Sequence, residues 1–159
     1  MMRHIAIMRH GDAPYINGER QISEHGHQQV QHMVRWYAQH LAEQNVQLET
    51  LLVSPTLRAQ QTADTFEKTF KDLVDYDWTR QTESLLTSES DPAMTIPFVE
   101  EATQGTTVLI SHMPLVSHLW CGWLPGQSQY FPTAAIGSLG LTTDGSASSA
   151  RKLAFSSPE

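Results

Sequence analysis

The most regular feature of the chain is a set of short apolar runs that alternate with longer stretches of helical periodicity. The runs at residues 5–8, 50–53 and 106–110 each have the length of a buried strand. In the stretches between and after them, apolar residues recur three or four positions apart. These stripes are Val30, Met33, Val34, Tyr37 and Leu41; Ala59, Ala63, Phe66 and Phe70; and Leu115, Val116, Leu119, Trp120 and Trp123. Strands that alternate with helices predict an α/β fold.

The predicted architecture is one domain over residues 1–159, a three-layer sandwich of a mostly parallel sheet with helices on both faces. Ser23 is the expected N-cap of the first helix. A polar loop is predicted from the first strand to Gln21. Closing strands are predicted at 136–142 and 152–155, with a turn at 146–150.

The segment between residues 71 and 105 has the weakest pattern. A strand is predicted near residues 76–79, followed by a loop. Asp91 and Pro92 are typical of an N-cap and a first helical residue, but Pro97 lacks an N–H and clashes with the preceding turn. We therefore expect a broken or late-starting helix there.

Charge and composition exclude several function classes. The chain has a net charge of -7 and no run of Lys or Arg, so nucleic acid is a poor ligand because phosphate neutralisation dominates that affinity. It has neither an apolar stretch of about 18 residues nor a basic amphipathic helix, and no membrane association is expected. The single cysteine, Cys121, cannot form an internal disulfide. We predict a cytoplasmic protein.

Three predicted strands end in similar polar residues, and this is where chemistry is expected. The first leads into Arg9-His10-Gly11, the second into Ser54 and then Arg58, and the third into Ser111-His112. Because sites gather at the carboxyl ends of parallel strands, the two Arg and two His can meet there. Guanidinium groups match phosphate and carboxylate oxygens. A single Arg or His after a strand is commonly a cap or a surface residue, but three such ends favour an anion site.

These motifs resemble the histidine phosphatase superfamily, whose fold is shared with phosphoglycerate mutases. The matching residues are Arg9-His10-Gly11, Ser54-Pro55-x-x-Arg58-Ala59-x-Gln61-Thr62 and Ser111-His112. The short length, Asp12-Ala13, Ile22-Ser23-x-x-Gly26 and Thr133-Ala134-Ala135-Ile136 are similar to its SixA branch, the phosphohistidine phosphatases. The resemblance thins over residues 71–105 and after 143.

The resemblance implies a role for each motif residue. His10 is the nucleophile and becomes phosphorylated, while Arg9, Arg58 and His112 bind the phosphoryl oxygens and Gly11 allows close approach of the backbone. No metal and no cofactor are required. Larger relatives protonate the leaving group with a carboxylate. Glu83 is the first choice for that acid here, ahead of Glu89, Asp91 and Asp12, although each of these is also the kind of residue that is simply solvated.

The resemblance also implies a partner. The expected substrate is a phosphohistidine in a signalling or phosphotransfer protein, for example a histidine phosphotransfer domain. The predicted elements leave little chain for a helical lid, which favours an open site. Two alternatives stay open: a phosphomonoesterase for small phosphate esters, and a phosphate-binding module without turnover.

Other reactive residues have simpler interpretations. His25, His27, His32 and His40 are expected on the solvent-facing side of the first helix, and His4 and His118 are expected to be structural. Cys121 has Gln127 rather than Arg six positions later, which disfavours a cysteine-phosphatase loop. Residues 75–79 have the Asp-x-Asp-x-Thr spacing of magnesium-dependent phosphatases, but only two apolar residues precede them, so we interpret them as a polar loop.

Overall fold

The computed structural model describes residues 2–145 and 147–158. Its regular elements alternate between strands and helices for most of the chain. In order they are β1 (Met2–Arg9), β2 (Tyr15–Ile16), β3 (Glu19–Arg20), α1 (Glu24–Gln44), β4 (Leu48–Val53), α2 (Leu57–Lys71), β5 (Thr79–Thr82), a 3-10 turn (Ser84–Leu86), α3 (Pro92–Ala102), β6 (Thr106–Ser111), α4 (Leu115–Trp123), β7 (Ile136–Asp144) and β8 (Ala147–Ser156). None of these helices is long and apolar enough to cross a membrane.

The main sheet has six strands in the order β5-β4-β6-β1-β7-β8. The pairings β5-β4, β4-β6 and β6-β1 are parallel, whereas β1-β7 and β7-β8 are antiparallel. The prediction of a mostly parallel sheet is therefore confirmed. Its two antiparallel pairings come from the closing strands at one edge.

Each face of the sheet has its own apolar core. One face packs against α1 and α2, with Met8, Val53 and Ile110 meeting Tyr37 and Phe66. The other face packs against α3 and α4. It brings Ile7, Leu52 and Leu109 against Val99, Leu119 and Trp120, among others. Successive side chains of a strand point to opposite faces, so both faces of these fully buried strands are apolar. The three-layer arrangement follows.

The structure corrects three details of the weakly patterned segments. The strand expected near residues 76–79 lies at Thr79–Thr82, because Tyr76 and Trp78 instead pack edge-on against Phe70 of α2. The helix α3 is continuous through Pro97, which lies on its exposed side, so that solvent can hydrate the Ala93 carbonyl that lacks its helical donor. Of the predicted turn at 146–150, Ser146 lies outside the described residues and 147–150 begin β8.

The polar loop expected before Gln21 contains a small hairpin. The strands β2 and β3 pair antiparallel, with Tyr15 opposite Arg20 and Ile16 opposite Glu19. The two turn residues, Asn17 and Gly18, have φ angles of 54° and 82°. Such left-handed pairs are the preferred two-residue turns of β-hairpins, and Asn-Gly is their strongest sequence signal.

Candidate active site

The three predicted strand ends lie side by side. Arg9 is paired with Ser111, and Val53 with Ile110. The ladder continues one residue past each end, since the His10 N–H donates to the Ser111 carbonyl at 3.0 Å and the Ser54 N–H to the Ile110 carbonyl at 3.0 Å. The residues that follow β1, β4 and β6 are thus held at one edge of the sheet.

His10 is buried, with 2% of its surface exposed, and its orientation is set by the adjoining backbone. Its Nδ1 lies 2.7 Å from the Gly11 carbonyl oxygen. Because a carbonyl only accepts, Nδ1 carries the ring proton and Nε2 keeps a free lone pair. Burial, together with the nearby charges of Arg9 and Arg58, lowers the pKa of His10 to about 4, against the Gly11 hydrogen bond, which raises it. The ring is therefore neutral at pH 7.

His112 lies beside His10, with ring centroids 5.2 Å apart and the rings edge to face. Its Nε2 is 2.7 Å from Ser54 Oγ and 3.2 Å from Thr56 Oγ1. Its Nδ1 is buried and has no partner among the described residues. Burial and the adjacent His10 and Arg58 lower the pKa of His112 to about 3. It is a neutral ring with one nitrogen unused.

The two predicted arginines lie in the same cluster. A terminal nitrogen of Arg9 donates to the Phe131 carbonyl at 3.0 Å and to Tyr130 Oη at 3.3 Å. Arg58 is in the first turn of α2. The Nε atoms of both are buried without a partner in the part of the chain that the structure describes. Burial lowers the pKa of Arg58, and the charges of Arg20 and Arg9 lower it further.

The loop that follows His10 is braced from two helices. The Gly11 N–H donates to Thr62 Oγ1 on α2 at 3.1 Å, and Thr62 in turn donates to the Arg58 carbonyl at 2.8 Å. The Asp12 N–H donates to Gln29 Oε1 on α1 at 2.9 Å. These bonds hold the loop and the first turn of α2 in a fixed relation. The motif residue Thr62 thus has a structural role at the site.

Arg20 is a component of this site that the sequence interpretation missed. It lies on β3, and its Nε donates to the Ala13 carbonyl at 2.9 Å. Its charge is close enough to contribute to the lowered pKa values of His10, Arg58 and His112, in which burial is the largest cause. The Asn17-Gly18 pair could have indicated this residue, because it predicts the hairpin on which Arg20 lies.

Three of the four candidate acids already accept hydrogen bonds elsewhere. Glu83 caps the 3-10 turn, where its Oε2 accepts from the Leu85 N–H at 2.8 Å. Asp91 caps α3, and Asp12 Oδ2 accepts from Ser23 Oγ at 2.7 Å. Glu89 is exposed. Within residues 2–145 and 147–158, no hydrogen bond or ion pair joins any of them to the Arg and His cluster.

Three histidines differ from their predicted setting. His40 was expected in solvent, but it is buried, stacks on Trp36, and places Nε2 3.0 Å from Ser138 Oγ on β7. His27 is half-buried, with Nδ1 2.6 Å from Thr65 Oγ1. Both face neighbouring elements because α1 packs against the sheet and α2 over a wider arc than its apolar stripe. His118, expected to be structural, is exposed.

Comparison with known proteins gives a consistent result. No protein-family model matches the chain. The phosphohistidine phosphatase SixA of Escherichia coli strain K12 is 30% identical over 148 residues, covering 89% of this chain and 87% of that protein. The structure of the protein histidine phosphatase SixA complexed with tungstate matches 98% of this chain and 97% of its own at a TM-score of 0.79 and 30% identity.

The predicted mutase-like fold is also found among these neighbours. A phosphoglycerate mutase from Plasmodium falciparum has a TM-score of 0.69, is 18% identical, and is matched over 98% of this chain and 91% of its own. At that identity the likeness concerns the fold alone. The α/β architecture and the resemblance inferred from the motifs are confirmed.

Proposed function

This chain belongs to the SixA family of histidine phosphatases, and on that premise we propose that it hydrolyses a phosphohistidine carried by another protein. One observation carries the proposal. A neutral histidine with a free Nε2, His10, lies among arginines that no carboxylate pairs within the described residues. Such a cluster provides a nucleophile and an anion site together.

In the proposed reaction His10 Nε2 attacks the phosphorus. The N–P bond to His10 forms as the N–P bond to the substrate histidine breaks. The Gly11 carbonyl keeps the proton on Nδ1, so that the attacking nitrogen presents its lone pair. A water molecule then attacks the phosphorus, releases inorganic phosphate and returns His10 to its neutral form. No metal ion takes part.

Arg9, Arg58 and His112 are proposed to bind the phosphoryl oxygens. The unpaired Nε atoms of the two arginines and Nδ1 of His112 are donors without a protein partner in the described residues. When Ser54 Oγ donates to Nε2 of His112, the ring proton is on Nδ1, which can then donate a hydrogen bond to a phosphoryl oxygen. Phosphoryl transfer depends mainly on this kind of positioning and charge stabilisation.

The leaving group explains why a histidine substrate suits this site. An alcohol leaving group needs an acid to protonate it, whereas an imidazole leaves as a neutral ring once its second nitrogen is protonated. Glu83 was the first choice for the acid, but its carboxylate already accepts from Leu85 N–H. A phosphohistidine therefore demands less of the chain's own residues than a phosphate ester does.

A histidine phosphotransfer domain is the proposed partner. The segment between His10 and α1 forms only the short β2–β3 hairpin, and both Tyr15 on that hairpin and Tyr130, which accepts a hydrogen bond from Arg9, are exposed. Such an open rim admits a phosphohistidine that projects from a folded surface. A free sugar phosphate would gain few contacts there, and remote contacts are what raise catalytic efficiency.

The test uses a phosphotransfer domain labelled on its histidine with radioactive phosphate. We expect release of inorganic phosphate with and without a metal chelator, and acid-labile label trapped on His10. His10→Ala should abolish turnover, whereas His118→Ala, which alters an exposed histidine, should not. The ratio of kcat/KM for this substrate to that for a sugar phosphate should greatly exceed one.

Three results would contradict the proposal. Label on a serine or an aspartate would exclude the histidine mechanism. Loss of activity with chelator would indicate a metal-dependent enzyme. Equal or better kcat/KM on a small phosphate ester would favour the phosphomonoesterase alternative.

A further inference from the structure

Arg20 is a third guanidinium at the site, and it is held there by a separate element of the fold. It ends the β2–β3 hairpin, whose Asn17-Gly18 turn brings β3 back beside Tyr15. Its Nε donates to the Ala13 carbonyl, three residues after His10. The base of the hairpin is tied to α2, because the Ile22 N–H donates to Gln61 Oε1 at 2.8 Å, one turn after Arg58.

Among the described residues, no carboxylate or other protein group pairs with the two terminal nitrogens of Arg20. In residues 2–145 and 147–158 the ion pairs of an arginine are those of Arg80 with Asp64 and Glu67. The neighbouring Glu19 is next to Arg20 in β3, and successive side chains of a strand point to opposite sides. The nearest acid in the sequence is thus directed away from the guanidinium.

The electrostatic setting indicates which groups Arg20 faces. The charge of Arg20 lowers the pKa of Arg58 more than the charge of Arg9 does. It also lowers the pKa values of His112 and His10. Three guanidiniums without a counter-ion repel one another, so their assembly is unfavourable until an anion binds between them. A phosphoryl group brings two negative charges to that position.

We propose that Arg20 binds a non-bridging oxygen of the phosphoryl group, together with Arg9 and Arg58. This inference rests on the proposed function and adds a residue to its site. The hairpin then has a definite role: it positions a forked donor over the anion, and its Ala13 bond fixes that donor relative to the loop of His10. Arg20 contacts the group in transfer, not the body of the partner protein.

The test measures anion affinity directly. Tungstate and inorganic phosphate are titrated by calorimetry into the wild-type protein, Arg20→Gln and Arg20→Lys. Gln removes the charge but can still donate to the Ala13 carbonyl, and Lys keeps the charge without the fork. We expect Arg20→Gln to raise the Kd of both anions about 10- to 100-fold, the range of a charge-assisted hydrogen bond, with Arg20→Lys intermediate.

A matched control removes the same charge elsewhere. The control is Arg151→Gln, at an exposed position of β8. Arg151 pairs with Gly140 of β7, and Gly140 pairs with His4 of β1, so Arg151 lies near the opposite end of β1 from His10. Its anion affinities should equal those of the wild type. Arg20→Gln should also lower kcat/KM by a similar factor for phosphoramidate and for the phosphorylated protein, since both share the phosphoryl group.

Two outcomes overturn this inference while leaving the proposed function intact. One is a folded Arg20→Gln variant whose Kd for tungstate stays within twofold of the wild type. The other is a loss of kcat/KM confined to the protein substrate, which would place Arg20 in contact with the partner. Wild-type protein that binds neither anion would instead overturn the proposed function itself, and this inference with it.

Discussion

Gly26 is the position where one added methyl group should move the loop that follows His10. It lies in the first turn of α1, and a Cβ there would be 2.3 Å from the Asp12 carbonyl oxygen and 3.0 Å from the Asp12 nitrogen. Ordinary contacts are about 3.5 Å, so the backbone two residues after His10 must shift by about 1 Å. That shift would strain the bond from the Ser23 N–H to the Asp12 carbonyl, now 3.0 Å long.

The expected magnitude follows from opposing contributions to the free energy of unfolding. Gly26→Ala gains about 1 kcal/mol of helix propensity. It loses about 2 kcal/mol to overpacking against backbone and about 1 kcal/mol through the strained hydrogen bond. We expect a net destabilisation of about 2 kcal/mol. Because a misplacement of about 1 Å can cost 100-fold in rate, kcat should fall by up to about that factor.

Gly122→Ala is the matched control, since it also places alanine inside a helix. A Cβ at Gly122 meets only the tip of the Ile96 side chain, at 2.5 Å, and that tip can rotate away. This variant should be as stable as the wild type or slightly more stable, with unchanged kcat. Urea unfolding and steady-state kinetics of both variants provide the comparison. Equal stability and equal activity of the two would refute the steric argument.

Two further predictions concern histidines. Ring titration by NMR should give His10 a midpoint near pH 4 in the free protein, and a midpoint at 6 or above would contradict its described environment. Burial lowers the pKa of His40, so the fold favours its neutral form and stability falls as the pH drops below about 6.5. His40→Gln should therefore show a smaller loss of unfolding free energy between pH 7 and 5; an unchanged slope would exclude His40 as a contributor.

The sequence predicts the site best where chemistry and topology coincide. The apolar runs identify β1, β4 and β6, and each run is followed at once by the residues of interest. If these strands are parallel neighbours in one sheet, it follows that His10, Arg58 and His112 lie close together at the same edge. The structure is required to explain the motif residue Gly26. A side chain at this position would collide with the backbone of Asp12, fourteen positions earlier, and the sequence does not show that the two residues are in contact.

The sequence predicts less well where a residue's partners decide its role. Periodicity could not show that Tyr76 and Trp78 pack on Phe70 and so delay β5 to residue 79. Nor could it show that the Glu83 carboxylate caps the following turn. In both cases local composition left several arrangements open, and tertiary contacts selected one.

Among the described residues no carboxylate pairs with Arg9, Arg20 or Arg58, and the charges that help to lower the pKa of His10 account for this. Guanidiniums lower the pKa of any nearby carboxyl group, so an acid placed among Arg9, Arg20 and Arg58 would be ionised at pH 7. It would then compete with the phosphoryl group for the arginines and could not donate a proton. A site that gathers cations for an anion is thus poorly suited to a carboxylic acid in the same position. A substrate whose leaving group takes its proton from solvent avoids that conflict, and a phosphohistidine is such a substrate.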